Sequence, residues 1–280
     1  MSTRAKKRGR RLLHRPTPSI AAAFLRRDFI EEVSYPAAFV LKKLGTVLPV
    51  FVFFFIGELV GESVTVGSDY FTFAVLGLAV TVSLQGALGG FGGSLQRALN
   101  RGTLETLLVE PVPWKLLPFA MNLWKIFVGV LEGGVILTIG ALLGANYEVA
   151  GAGAFLVLLL LGIIASMAVG ILVASILVLA KKSKPFIALY GMAASLLAGS
   201  LFSVSQLPDW IRIFSWAIPH TYVINATRVV LMEDPGSFTI SFGTAVLALA
   251  AFNIIAFTTG LWLFSRSLEY GRKMGVLSGY

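Results

Sequence analysis

The chain has 280 residues, 56% of them apolar and only 13% charged, with a mean hydropathy of +0.83. This excludes an ordinary soluble globular domain and points to an all-α polytopic membrane protein, because several apolar runs are long enough to cross a bilayer. The formal charge of +9 belongs with membrane topology rather than a nucleic-acid partner, since basic residues collect where a membrane protein faces anionic lipid. With no cysteine, disulfides, thiol nucleophiles and Cys-ligated metals are excluded.

Residues 1–19 carry a dense basic cluster and two prolines, which predicts a cytoplasmic tail in contact with membrane lipids. Over 20–43, Ile20, Ala23, Phe24, Ile30, Val33 and Ala37 approximate one helical face, with Arg26, Arg27, Glu31 and Glu32 largely off it. The expectation is an amphipathic helix on the inner leaflet. A cleaved signal peptide is not expected, because the first apolar run begins only near Leu44.

At roughly 20 residues per crossing, a six-helix transmembrane domain is placed over 44–265, with spans at about 44–60, 70–92, 117–143, 151–180, 186–204 and 242–264. Of the 23 Lys and Arg residues, 20 then fall on one side. The other side has Arg212 and Arg228 among six acidic residues, and Lys125 lies within the third span. Both termini, including 266–280, are therefore predicted to be cytoplasmic. The segment 205–236 is punctuated by Pro208, Pro219 and Pro235 yet rich in Trp, Ile, Phe and Val, too apolar for a solvated loop. Two short helices there, about 209–217 and 221–232, set into the outer leaflet, satisfy their own backbone while burying those side chains.

The connector 94–116 is the strongest functional signal. Arg97, Arg101, Glu105 and Glu110 alternate with Leu104, Leu107 and Leu108, and Pro111 and Pro113 close the segment. Leucines at i, i+3 and i+4 place an apolar stripe in water unless a partner covers it. These seven charged and leucine positions are the expected docking surface for a soluble partner; an ordinary surface loop is the alternative.

Upstream, the glycine cluster 86–94 lacks the Gly-Lys step of a phosphate loop, and no such dipeptide occurs in the chain, so close helix packing is expected. Glu132 falls near mid-bilayer, where a carboxylate must be neutral, paired or facing water. It is seven residues from Lys125, about 10 Å along a helix axis, which makes a direct pair between the two a stretched one. A place in a substrate path, together with Phe51, Phe54 and Phe55 of the first span, stands against a structural carboxyl and lipid-facing rings. His14 and His220 are isolated, and no HExxH, GxSxG or carboxylate array is present.

Taken together, the layout resembles the type 2 family of ABC exporter permeases (ABC-2 type). RGTLETLLVEPVPWKLLP (Arg101 to Pro118) is similar to that family's cytoplasmic G-x-x-E-x-L-x-x-x-P region, and LPDWIRIFSWAIPHTYVINATRVV (Leu207 to Val230) is similar to its outer region. The resemblance implies a membrane subunit that binds no cofactor itself, pairs with a second permease copy as a homodimer, and meets two ABC ATPase subunits that handle ATP and Mg. It also implies that the 94–116 connector contains the coupling helix and that the helices after span five are re-entrant. An amphipathic, lipid-like, drug-like or glycan substrate is the expected cargo. The alternative is a secondary transporter or channel driven by an ion gradient, with Glu132 as proton carrier.

Overall fold

The computed structural model describes residues 17–60, 70–100, 117–180, 184–235 and 238–273. All regular structure among them is helical. Two helices open the chain, α1 (Thr17–Val33) and α2 (Pro36–Val60). The segment expected as a single interfacial helix over 20–43 is thus divided at Ser34 and Tyr35. Pro36 has no N–H to donate back and disfavours a helical residue before it, so it suits the first position of a new helix, and the break falls there. Lys42 and Lys43 consequently belong to the first spanning helix.

The long helix α3 (Tyr70–Asn100) is the hub of the bundle. It packs on α4 (Leu117–Leu142), on α5 (Ala152–Ala180) and on α2, and α5 is backed in turn by α9 (Phe242–Lys273). Lipid tails are as apolar as leucine, so helices associate in a membrane by close approach and by hydrogen bonds rather than by hydrophobic exclusion. Both devices join α3 to α4. A Cβ at Gly86 would fall onto the Lys125 carbonyl, and one at Gly90 onto the Asn122 side chain. Asn122 Nδ2 donates to the Ala87 carbonyl at 2.7 Å, a buried bond between the two helices. The glycine cluster is therefore a packing surface, as its composition suggests.

Five helices, α2, α3, α4, α5 and α9, are long and apolar enough to cross a membrane. The fifth expected span differs. Its place is taken by α6 (Lys184–Leu197), whose 14 residues reach only about 21 Å. The helix stops at Ala198, and Gly199 turns the chain with φ of +75°, a conformation that costs a side-chain-bearing residue. Two short helices follow, α7 (Asp209–Ala217) and α8 (Pro219–Leu231), close to the expected bounds. α7 turns Trp210, Ile213 and Phe214 outward, whereas α8 is buried along nearly its whole length, polar residues included.

At the opposite end of the bundle, Phe24 of α1 joins Phe91 and Leu95 of α3 and Phe264 of α9 in one buried cluster, with the Phe91 and Phe264 rings edge to face at 5.2 Å. α1 is therefore fastened to the bundle rather than merely resting beside it. By contrast, only 6% of the most apolar stretch of α2 is buried, against 78% for α3.

Candidate functional site: a basic cavity and its ion-pair rim

Where α1, α2 and α4 meet, Glu32 gathers three donors. Trp124 Nε1 donates at 2.6 Å, Lys125 Nζ at 2.9 Å and Lys42 Nζ at 3.2 Å. Burial pushes the Glu32 carboxyl up, but the hydrogen bonds from Lys125 and Trp124 and the charges of Lys125 and Lys42 outweigh it and hold the group down at about 2. Phe29 closes the cluster with its ring against Trp124 at 5.4 Å. Helix α1 is thus tied to α4 by charge as well as by apolar contact.

Glu132 forms an ion pair with Lys43. Lys125 and Glu132 do not meet; each finds its partner on a different element, Lys125 on α1 and Glu132 on α2. The seven-residue separation on α4 is bridged from outside the helix. A mid-span carboxylate is tolerable on these terms, since an ammonium from the neighbouring helix offsets its desolvation.

These groups border a cavity of about 530 Å³ between α2, α3, α4 and α6. Its charged lining comprises Lys42, Arg97, Lys125 and Glu132. Farther along α3 it is lined by Gln85 and Thr81, and from α6 by Ser195. Arg97 Nη2 donates to the Ser94 hydroxyl at 2.8 Å, a neutral partner. The Thr81 hydroxyl is buried with no hydrogen-bond partner. A second cavity, also about 530 Å³, adjoins the first between α3 and α6 and shares Gln85 and Ser195 with it, but Leu88, Ile187, Met192 and Leu196 make it apolar.

The end of the bundle away from Phe24 is organised by Arg228 of α8, only 1% exposed. Its Nη1 donates to the Gly199 carbonyl at 2.7 Å, and its Nη2 to the carbonyls of Ser200 at 2.9 Å and Phe73 at 3.1 Å. The guanidinium lies 3.3 Å from the centre of the Phe73 ring. A helix that ends inside protein leaves carbonyls without intrahelical partners, and a planar fork of donors just past the end of α6 satisfies several acceptors there at once. Asn225, one turn earlier on α8, donates to the Ala198 carbonyl at 3.2 Å and supplements the cap. His220 is buried at the start of α8, 3.5 Å from both the Ser166 hydroxyl and the Tyr190 hydroxyl, within the bundle rather than at its surface.

The sequence-derived site residues fare unevenly. Arg101, Leu104, Glu105, Leu107, Leu108 and Glu110 lie outside the described residues. Arg97 sits on the last turns of α3, which continues through the first part of the expected connector, and it borders the basic cavity. Glu132 borders the cavity as well, but Phe51, Phe54 and Phe55 do not. Phe51 and Phe55 point outward, and Phe54 packs edge to face on Phe71 at 5.5 Å. Sequence reasoning overlooked Gln85, Thr81, Glu32 and Lys43 at the cavity and its rim. A glutamine inside an otherwise apolar span was the available signal. Arg228 was counted only as an outer charge, although an arginine flanked by Ala226, Thr227, Val229 and Val230 already asks for buried acceptors.

This architecture defines a multi-pass membrane protein with a polar chamber among its spanning helices. The family model for the ABC-2 type transporter matches residues 22–232, and the chain belongs to that family as a transporter permease subunit. Among curated proteins, the chain is similar to the probable multidrug ABC transporter permease YbhR of Escherichia coli (strain K12), with 23% identity over 178 residues. That match covers 59% of this chain and 45% of the relative, so the chain aligns with less than half the relative's length. The protein of the same name from Escherichia coli O157:H7 matches with the same figures.

Proposed function

We propose that the chain is the membrane subunit of an ATP-driven exporter in the cell (inner) membrane, with both termini cytoplasmic, moving an amphipathic molecule out of the cytoplasm. The cargo class is lipid-like, drug-like or glycan. The observation that carries this reading is the charged cavity bordered by the apolar helices α2, α3, α4 and α6, since charge within a membrane domain is costly and is characteristically kept for a transport path. Energy comes from outside the chain. Two ABC ATPase subunits bind ATP and Mg, and their closure acts through the 94–116 connector to shift the permease between two states, as differential binding of any ligand shifts a two-state element. A second copy of the permease completes the assembly. The sparse burial of α2 within a single chain supports that pairing.

The docking part is tested by co-expressing the chain with an ABC ATPase that co-purifies with it. Truncating Leu107 and Leu108 to Ala removes apolar contact worth roughly 1 to 3 kcal/mol per side chain if each is buried against the partner, so the ATPase is expected to be lost on co-purification. Glu105→Ala, a charge at the rim of the same surface, is expected to leave the complex intact with poorer transport per ATP. Normal assembly and transport by the double leucine variant would make the connector an ordinary loop.

A further inference from the structure

We propose that the cavity bordered by Lys42, Arg97 and Lys125 selects an anionic amphiphile: a phosphate or carboxylate head is held by these cations while its apolar tail lies in the adjoining groove between α3 and α6. This inference rests on the permease reading for the direction of movement and deepens it by fixing the sign of the cargo's charge.

Charge balance comes first. Three cations of the described lining face one lining carboxylate, Glu132, and Lys43 neutralises that one from α2. Glu32 is shared between Lys42 and Lys125, which leaves two ammonium groups to a single carboxylate. Among the described residues Arg97 is bonded through Nη2 to the neutral Ser94 hydroxyl and to no carboxylate, which leaves its positive charge to an oxyanion. A cationic guest would have to enter against this excess in a setting where water screens poorly. An anion completes it.

The rest of the cavity extends the same logic outward. Thr81 and Arg97 are about 24 Å apart along α3 at 1.5 Å per residue, and Gln85 lies between them. The buried Thr81 hydroxyl has no partner among the described residues, and such a group carries a desolvation penalty that a guest oxygen would relieve. The polar track thus has a strong anion site at its Arg97 end and weaker hydrogen-bonding stations beyond it.

The tail is accommodated separately. Gln85 and Ser195 line both the polar cavity and the second one, whose wall is completed by Leu88, Ile187, Met192 and Leu196. Two chambers of similar volume, one basic and one apolar, joined at two polar side chains, match a molecule with a charged head and a hydrocarbon tail better than a uniformly polar glycan or a compact cation.

The test uses the full-length chain in phosphatidylcholine nanodiscs and scintillation-proximity binding of radiolabelled dodecyl phosphate. Saturable binding is expected, with dodecyltrimethylammonium and inorganic phosphate each displacing it at least about tenfold less well than unlabelled dodecyl phosphate. Arg97→Gln should weaken binding about tenfold or more by removing a charge-assisted contact, and Thr81→Val and Gln85→Leu, which leave every ion pair in place, should each weaken it several-fold. Phosphatidate added to the nanodiscs separates two sources of the same chemistry: competition identifies a bilayer lipid, and its failure identifies a monomeric amphiphile. Equal displacement by the ammonium amphiphile would overturn the charge assignment, equal displacement by free phosphate would overturn the tail, and unchanged affinity in all three variants would remove the site. Because binding is read without any ATPase, an exporter that fails to assemble leaves this result standing. Lost charge preference in a chain that still assembles and transports defeats this inference alone.

Discussion

Arg228 Nη1 lies 2.7 Å from the carbonyl oxygen of Gly199, across 29 positions of chain, and this contact lets α6 end inside the bundle. The same guanidinium reaches Ser200 and Phe73, so one side chain near the C-terminal end of α8 holds the chain just past α6 and the first turn of α3 together. Arg228→Met removes all three bonds and leaves buried carbonyls unsatisfied, at a cost on the order of 3 kcal/mol or more. Arg228→Lys keeps the charge but not the fork, and should fall between the two. The check is the thermal midpoint of the purified chain in detergent. A midpoint in the methionine variant equal to the parent's would show that the cap contributes little.

Gly77 gives an independent handle on the same junction. A Cβ there would fall onto the Ser200 carbonyl and come within 2.7 Å of Arg228 Nη2. Gly77→Ala should therefore lower the midpoint, while Gly134→Ala, which meets nothing within 4 Å and sits on a described helix, should hold or slightly raise it through better helix propensity. Equal behaviour of the two alanine variants would contradict the close approach.

Lys43 and Glu132 lend themselves to a double-mutant cycle. Both side chains are less than a third exposed, so removing either one strands the other's charge in a poorly solvated place. Lys43→Met and Glu132→Gln should each destabilise by about 1 to 3 kcal/mol, and the double variant should recover part of that loss, with an interaction energy above about 0.5 kcal/mol. Simple additivity in thermal or denaturant unfolding would mean the two groups act independently.

Glu32 makes a pH prediction. Its carboxyl titrates at about 2 in the folded protein against an ordinary value of 4.5, a depressed pKa. The stabilisation it contributes is thus complete above about pH 4.5 and is lost as the pH falls from there toward 2. The difference in thermal midpoint between the parent and Glu32→Gln should be constant from pH 7 to about pH 5 and shrink below that. A difference already gone at pH 5 would mean that Lys125, Trp124 and Lys42 do not hold the carboxylate.

Sidedness can be read on a background free of native cysteine. Ala150, exposed between α4 and α5, and Arg26, exposed on α1, lie at opposite ends of the bundle in the proposed topology. Ala150→Cys should react with an impermeant thiol reagent added to intact cells, and Arg26→Cys should react only after the membrane is opened. The inverse pattern would turn the molecule over and place the connector outside the cell.

What the amino-acid order determined by itself was membership of the membrane world, the positions of the long helices, and the two short helices, expected at about 209–217 and 221–232 and found at Asp209–Ala217 and Pro219–Leu231. These are local or additive properties: a run of apolar residues must hydrogen-bond its own backbone in lipid, and clustered prolines such as Pro208, Pro219 and Pro235 break the run into short pieces. Pro36 was visible in the same way, and its power to start α2 anew was simply outweighed by an apparent helical face on either side of it. Pairing was another matter. Lys125 and Glu132 share one helix, yet their partners come from α1 and α2, and nothing in a linear spacing ranks those distant acceptors and donors. The basic cavity and the Arg228 cap belong to the same class. Each depends on where three or four helices come together, and that is decided by the fit of Gly86 and Gly90 against α4 and by the early end of α6, which tertiary packing alone could settle.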